Sequence, residues 1–243
     1  MRSLRPSLLV PVAIFLALAC PPNVSRAAPY LGRNAPVAIE LLPPPPAADS
    51  EAQKTDLEQA ARVYAERTPE QVAFGRTQLE LTIFCFEPVI GDFFYPHRFP
   101  RTEAMFAQVN REISQVAGPA KKHWNRLRPY LADPARFPDT PVRDASASYP
   151  SGHATRGVVY ARLLAELFPA KRKALLEFGD AAGWVRVQIG VHYPTDVDAG
   201  RILGNALAAA FLQSPEFQKD LAAAKAEIAS GGRSWLVRNE SQP

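Results

Sequence analysis

Three separated stretches of the chain concentrate side chains that do chemistry: KKHWNRLRP at 121–129, YPSGHATRG at 149–157 and VRVQIGVHYPTD at 185–196. Lys121 and Arg128 stand seven residues apart, which on one helix puts two cations on a shared face two turns apart. Ser151 and Gly152 precede the apolar helical run VVYARLLAELF. A helix start presents unpaired N–H groups and partial positive charge, glycine lets an anion approach the backbone, and serine adds a hydroxyl donor. His153 then stands beside that anion as a proton donor. Arg186 precedes His192 by six residues, and Asp196 follows it by four, across the turn made by Pro194. A carboxylate at that spacing accepts the proton on one imidazole nitrogen and leaves the other as a nucleophile.

Each stretch also has a plain reading: a solvated basic face, a helix cap with a core histidine, and a capping aspartate beside an incidental histidine. Together they describe one reaction. Two guanidinium groups, an ammonium and helix-start amides surround a phosphate dianion. One histidine attacks, and the other protonates the leaving group.

Helices must position these residues. Asp49 or Ser50 caps a helix to about residue 66. Thr68-Pro69-Glu70 opens a second to about 86. A third is expected over 102–117, with Gly118-Pro119 breaking it and starting a fourth that ends at Pro129. Further helices are expected over about 151–168, 169–189, 195–212 and 215–229, with the chemistry at the breaks between them. Alternating strand patterns are scarce. The fold class is all-α, a single domain built as a multi-helix bundle.

The remaining composition bounds the function. Residues 1–27 carry a basic start and the apolar stretch LLVPVAIFLALA, too short to span a bilayer, before Ser25-Arg26-Ala27, so a cleaved signal peptide is expected. Cys20 offers a lipoprotein alternative, but Ala17-Leu18-Ala19 makes a poor lipobox. Removing the three arginines of this segment takes the formal charge from +4 to +1, so nothing argues for nucleic-acid binding. Residues 28–49, with LLPPPPAADS, form a proline-rich arm, 50–230 the helical domain, and 231–243 a loose tail. Cys85 is expected to be a buried, inert thiol, Arg201 and Asp198 to form helix–helix ion pairs, and His97 and His123 to be structural or exposed. No other run is long enough for stable membrane insertion.

Lys121-x6-Arg128-Pro129, Pro150-Ser151-Gly152-His153 and Arg186-x5-His192-x3-Asp196 together resemble the three-part signature of the phosphatidic acid phosphatase type 2 superfamily, which also holds the vanadium haloperoxidases. The region 119–229, with RLRPYL, SYPSGH, VDAGRILGNALAAAF and SPEFQKDLAAAKAEI, looks specifically like the class A bacterial nonspecific acid phosphatases, as do the signal peptide and proline-rich arm. The resemblance implies His192 as the nucleophile, Asp196 as its orienting carboxylate and His153 as the general acid. It implies that Lys121, Arg128, Ser151, Gly152 and Arg186 bind the phosphoryl oxygens, with no metal and no cofactor. It further implies a periplasmic homo-oligomer acting on small phosphate monoesters such as nucleotides, sugar or aryl phosphates, inhibited by vanadate and capable of phosphotransfer. Val185 and Ala154 depart from the family, which usually has Ser and Thr there. A haloperoxidase, a soluble enzyme acting on lipid phosphates, and a phosphate-binding protein without turnover are the rival readings. With both histidines near 6.5, activity is expected to peak on the acid side.

Overall fold

Capping sets the first helices. The computed structural model describes residues 28–141 and 146–239, so the expected leader and Cys20 lie outside the described residues. The arm begins with a 3-10 turn and the single-turn helix α1 (Ala38–Leu41). Ser50 Oγ accepts from Gln53 N and opens α2 (Glu51–Ala65), and Thr68 and Gln71 form a capping box at the start of α3 (Pro69–Thr77). Helix α3 stops well short of the expected 86. A 3-10 turn over Ile83–Phe86, opened by Thr82 Oγ1 accepting from Phe84 N, and the short α4 (Glu87–Ile90) follow.

The longest departure is α5, which runs unbroken over Pro100–Trp124 with Pro119 inside it. An interior proline costs about 3 kcal/mol. It is offset by burial of Ile113, Ala117 and Ala120 on the same face, and at the far end by Glu227, whose carboxylate accepts from Arg101 N and Thr102 N at 2.9 Å each. The left-handed Asn125 ends α5, residues 125–128 run without helix, and α6 spans Pro129–Ala132. Then come α7 (Gly152–Leu167), a 3-10 turn at 169–171, α8 (Arg172–Gln188), α9 (Pro194–Gln213) and α10 (Pro215–Asn239). No strand occurs among the described residues. Helix α10 passes through the expected tail boundary at 231, because Gly231 and Gly232 weaken a helix without removing a backbone donor as proline would.

The main core is formed by α5, α7, α9 and α10 with the arm laid over it. Tyr30 N and Leu31 N donate to the two oxygens of buried Glu112 at 2.9 and 2.8 Å, which ties the arm down on its own domain. Cys85 is only half-buried, so the expectation of a buried thiol fails: it sits on an edge turn. Arg201 of α9 bridges to α8 through Asp180, whereas its pair with Asp198 lies within α9 and joins no second helix.

Helix α7 packs most extensively on α8 and α9. The contact is too close for side chains. A Cβ at Gly179 would lie 2.4 Å from Gly157 O, and one at Gly200 would lie 2.6 Å from Ser151 O and 2.7 Å from Ala154 Cβ. Ala154 Cβ sits against Gly183 of α8 and Gly200 of α9, filling the space their missing side chains leave. We predict that Gly179→Ala lowers the unfolding free energy by about 1–3 kcal/mol through overpacking against backbone. Urea denaturation would check this, and an unchanged midpoint would show that α7 and α8 can separate freely.

Candidate active site

The turn between α8 and α9 carries the nucleophile candidate. Gly190 takes φ +77°, and a Cβ there would meet Phe137, Tyr64 and Thr140 at 2.9–3.1 Å, so only glycine fits. This turn lets Arg186 O accept from both Val191 N and His192 N, at 3.0 and 3.2 Å. Val191 and Tyr193 anchor in a smaller apolar cluster on either side of His192. His192 itself is 2 % exposed and Asp196 is fully buried.

The tautomer follows from the partners. Asp196 Oδ2 lies 3.0 Å from His192 Nδ1 and also accepts from Tyr193 N at 3.0 Å and from Ser148 Oγ. A carboxylate with three donors on one oxygen is ionised, so Nδ1 carries the proton and Nε2 offers a lone pair. Arg128 Nη1 lies 3.3 Å from that Nε2 while donating to Val191 O at 2.9 Å. Burial, with Arg128 and Lys121 adding to it, pushes His192 down to about 3 against the pull of Asp196. Burial would raise the Asp196 carboxyl, but the His192 hydrogen bond and the Arg126 charge overcome it and hold it well below the usual range.

Four of the five expected phosphate-binding residues are brought to one cavity, and Ser151 is not in its lining. A cavity of about 280 Å³ is lined by Lys121, Arg128, Gly152, His153, Arg186 and His192, with a wall from α5. Lys121 and Arg128 meet here without sharing a helix face. Lys121 is in the last turn of α5, with Nζ donating to Ala147 O at 2.6 Å, whereas Arg128 caps α6 from non-helical chain. Arg128 is held by Ser146 O at 2.9 Å and Ser146 Oγ at 3.1 Å. Ser151 is fully buried beneath Gly152. Its Oγ accepts from Ala154 N at 3.3 Å as the cap of α7, and its N–H donates to Asp196 O at 2.9 Å, joining the second and third motifs through backbone. Val185, also fully buried, belongs to the apolar cluster behind the turn.

His153 Nε2 lies 3.1 Å from Gln78 O and 3.2 Å from Leu79 O. Carbonyls only accept, so Nε2 carries a hydrogen and Nδ1 is the site for a second proton. Those carbonyls are available because α3 ends at Thr77. Burial first, then Arg186, His192 and Arg156, push His153 down to about 2. The expectation of a value near 6.5 is thus corrected by burial among cations. His97 and His123 are exposed and take no part.

Sequence reasoning missed the rear of the site. Arg126, buried and stacked on the Tyr193 ring at 3.9 Å, donates to Asp196 Oδ1 and Asp56 Oδ2 at 2.6 Å each. It also reaches Gln53 Oε1 at 2.7 Å and Thr195 Oγ1 at 2.8 Å. Both oxygens of Asp196 are thereby fixed, one by Arg126 and one by His192. Burial alternates along 126–128 as in extended chain, with Arg126 and Arg128 buried and Leu127 62 % exposed, a pattern that appears only in the folded chain. Among the described residues no cluster of metal-ligating side chains occurs, and no helix is long and apolar enough to cross a membrane.

A buried His–Asp pair facing three cations in a helix-built cavity defines a phosphoryl-handling enzyme. The PAP2 superfamily model matches residues 105–220. A non-specific acid phosphatase of Salmonella typhimurium is 31% identical over 210 residues, covering 83% of each chain. One from Providencia stuartii is 37% identical over 113 residues, covering 45% of this chain and 46% of its own. A lipid A 1-phosphatase of Rhizobium etli is 37% identical over 92 residues, covering 37% of this chain and 40% of its own. The chain belongs to the PAP2 superfamily and is an acid phosphatase of the class A type.

Two predictions follow from this geometry. Asp56→Asn removes one anchor of Arg126 and loosens Asp196, so kcat should fall by about tenfold to a hundredfold with KM little changed, because the cations of the cradle are untouched. A KM change alone would place Asp56 outside the alignment of His192. The second concerns stability. His153 and His192 are depressed below their unfolded value near 6.5, so the unfolded chain binds protons that the folded chain refuses. Unfolding free energy should therefore fall as pH drops through 6.5 toward about 3. Urea midpoints between pH 7 and pH 4 check this, and His153→Gln should flatten the slope.

Proposed function

We propose that this acid phosphatase hydrolyses phosphate monoesters of broad type through a phosphohistidine at His192. The observation that carries the reading is the fixed tautomer: Nδ1 held on Asp196 at 3.0 Å with Nε2 directed to Arg128 in the cavity. The Nε2 lone pair forms a bond to phosphorus as the ester P–O bond breaks. His153 Nδ1, having taken the proton of the substrate monoanion, gives it to the departing oxygen. Water then attacks phosphorus, passes a proton to His153, and the N–P bond breaks to return the pair to Nε2. Lys121, Arg128, Arg186 and the amides at Gly152 hold the phosphoryl oxygens, with Ser151 shaping that turn. An alcohol in place of water gives phosphotransfer, and vanadate fits the same cradle as an inhibitor. Export through residues 1–27 to the periplasm, and assembly as a homo-oligomer, complete the reading.

The acid optimum acquires a specific cause. With His153 at about 2, the proton for the leaving oxygen arrives with the substrate monoanion, whose second ionisation lies near 6. The kcat/KM is therefore expected to fall above about pH 6 and to follow the ester's own second pKa. Profiles for two aryl phosphates with different second pKa values check this; a limb common to both would place the proton on His153 before substrate arrives. The covalent step is tested with p-nitrophenyl phosphate in EDTA. Activity should survive the chelator, and in His192→Ala it should fall by at least about a thousandfold, as for loss of a covalent nucleophile. Retained turnover in that variant would eliminate the phosphohistidine.

A further inference from the structure

Arg156 is a fourth cation on the cavity wall, and the phosphoryl cradle does not need it. It lies one turn beyond Gly152 on α7, and its side chain leans back toward the helix start, as helical side chains do. A Cβ at Gly152 would be 3.1 Å from Arg156 Nη1 and 4.0 Å from Lys121 Cε, so the guanidinium and the Lys121 arm converge over the residue that opens α7.

The guanidinium is held in place by neutral groups alone. Nε donates to Asn110 Oδ1 at 2.6 Å and Nη2 to Ser114 Oγ at 3.1 Å, both from α5, and Nη1 reaches Gly152 O at 3.3 Å. No carboxylate pairs with it among the described residues, whereas Arg126 and Arg201 each hold two. Five N–H groups in a fixed fork leave hydrogens on Nη1 and Nη2 beyond those three bonds. The described lining of the cavity includes no acid. Lys121, Arg128 and Arg186 are already assigned to the transferred phosphoryl group, and Arg156 is not. The extra positive charge, oriented by α5 at the edge of a cavity of about 280 Å³, is matched to something small and anionic beyond that group.

We infer that Arg156 is a specificity-determining residue that receives a second anionic group, carboxylate or phosphate, on a short phosphate monoester. The inference rests on the phosphatase reading above and names its preferred substrate class. The forked guanidinium suits either group through paired N–H donors, and its closeness to Gly152 requires the two anionic groups to be separated by only a few bonds.

The test compares 3-phosphoglycerate with glycerol 3-phosphate, esters of one size that differ by a carboxylate. The wild-type protein should favour 3-phosphoglycerate in kcat/KM. That ratio should fall by about tenfold in Arg156→Gln, the size of one lost charge-assisted contact, and recover in part in Arg156→Lys. A ratio equal in wild type and Arg156→Gln would overturn the inference, leaving Arg156 as a tie between α5 and α7. If the wild-type protein turns over neither ester, the reaction reading fails. The ratio of dissociation constants for the same two esters, measured by calorimetry, then decides the role of Arg156 alone.

Discussion

The close crossing of α7 with α8 and α9 is the constraint on which the site depends. Gly157 and Gly179 face each other with no room for a methyl group, and Gly200 backs onto Ser151 and Ala154 in the same way. Because no side chain separates these helices, the N-terminus of α7, the C-terminus of α8 and the N-terminus of α9 come within hydrogen-bond reach. The Ser151 N–H to Asp196 O bond at 2.9 Å is the direct measure of that closeness. Arg186, His192 and Gly152 thereby open onto one cavity from three helix ends. Two ends contribute partial positive charge and the third contributes the turn that carries His192.

Charge is divided across His192. In front, Lys121, Arg128 and Arg186 face the cavity; burial first, then Arg128 and Lys121, keep the ring neutral. Behind, Asp196 fixes the proton on Nδ1 and is itself fixed by Arg126. Burying Arg126 alone would cost several kcal/mol. Two carboxylates, Gln53, Thr195 and the Tyr193 ring satisfy it, so the rear of the site is rigid as well as paired. A neutral imidazole with one nitrogen locked and the other aimed at a cationic cavity is the arrangement that a nucleophile toward phosphorus requires. His153 is tuned differently. Its Nε2 is committed to the carbonyls where α3 stops, leaving Nδ1 to exchange a proton. Each negative charge brought into the cavity works against the cations that depress it.

The chemistry was readable because it is local. Asp196 reaches His192 across one turn, Ser151 caps the helix it opens, and Gly190 is required by the sharp reversal between two helices. Such relations depend on short-range geometry that spacing and residue type encode. Arg126 and Asp56 were not readable, because they meet only when α2 is laid against the segment before α6, and nothing in the residues around Asp56 signals that contact. The ends of α3 and α5 were misjudged for the same reason. Pro119 reads as a break from its missing N–H, yet packing of the α5 face carries the helix through it.

By itself, then, the sequence determined an all-helical chain, the three motifs, and the candidates for nucleophile, orienting carboxylate and cations, since each is a matter of periodicity or near-neighbour spacing. Only the tertiary structure decided which nitrogen of each histidine holds its proton, how far both are depressed, and which buried arginine locks the carboxylate. Those properties are sums over groups remote in sequence. Desolvation and Coulomb forces act through space, and the distances they depend on exist only once the helices have closed on one another.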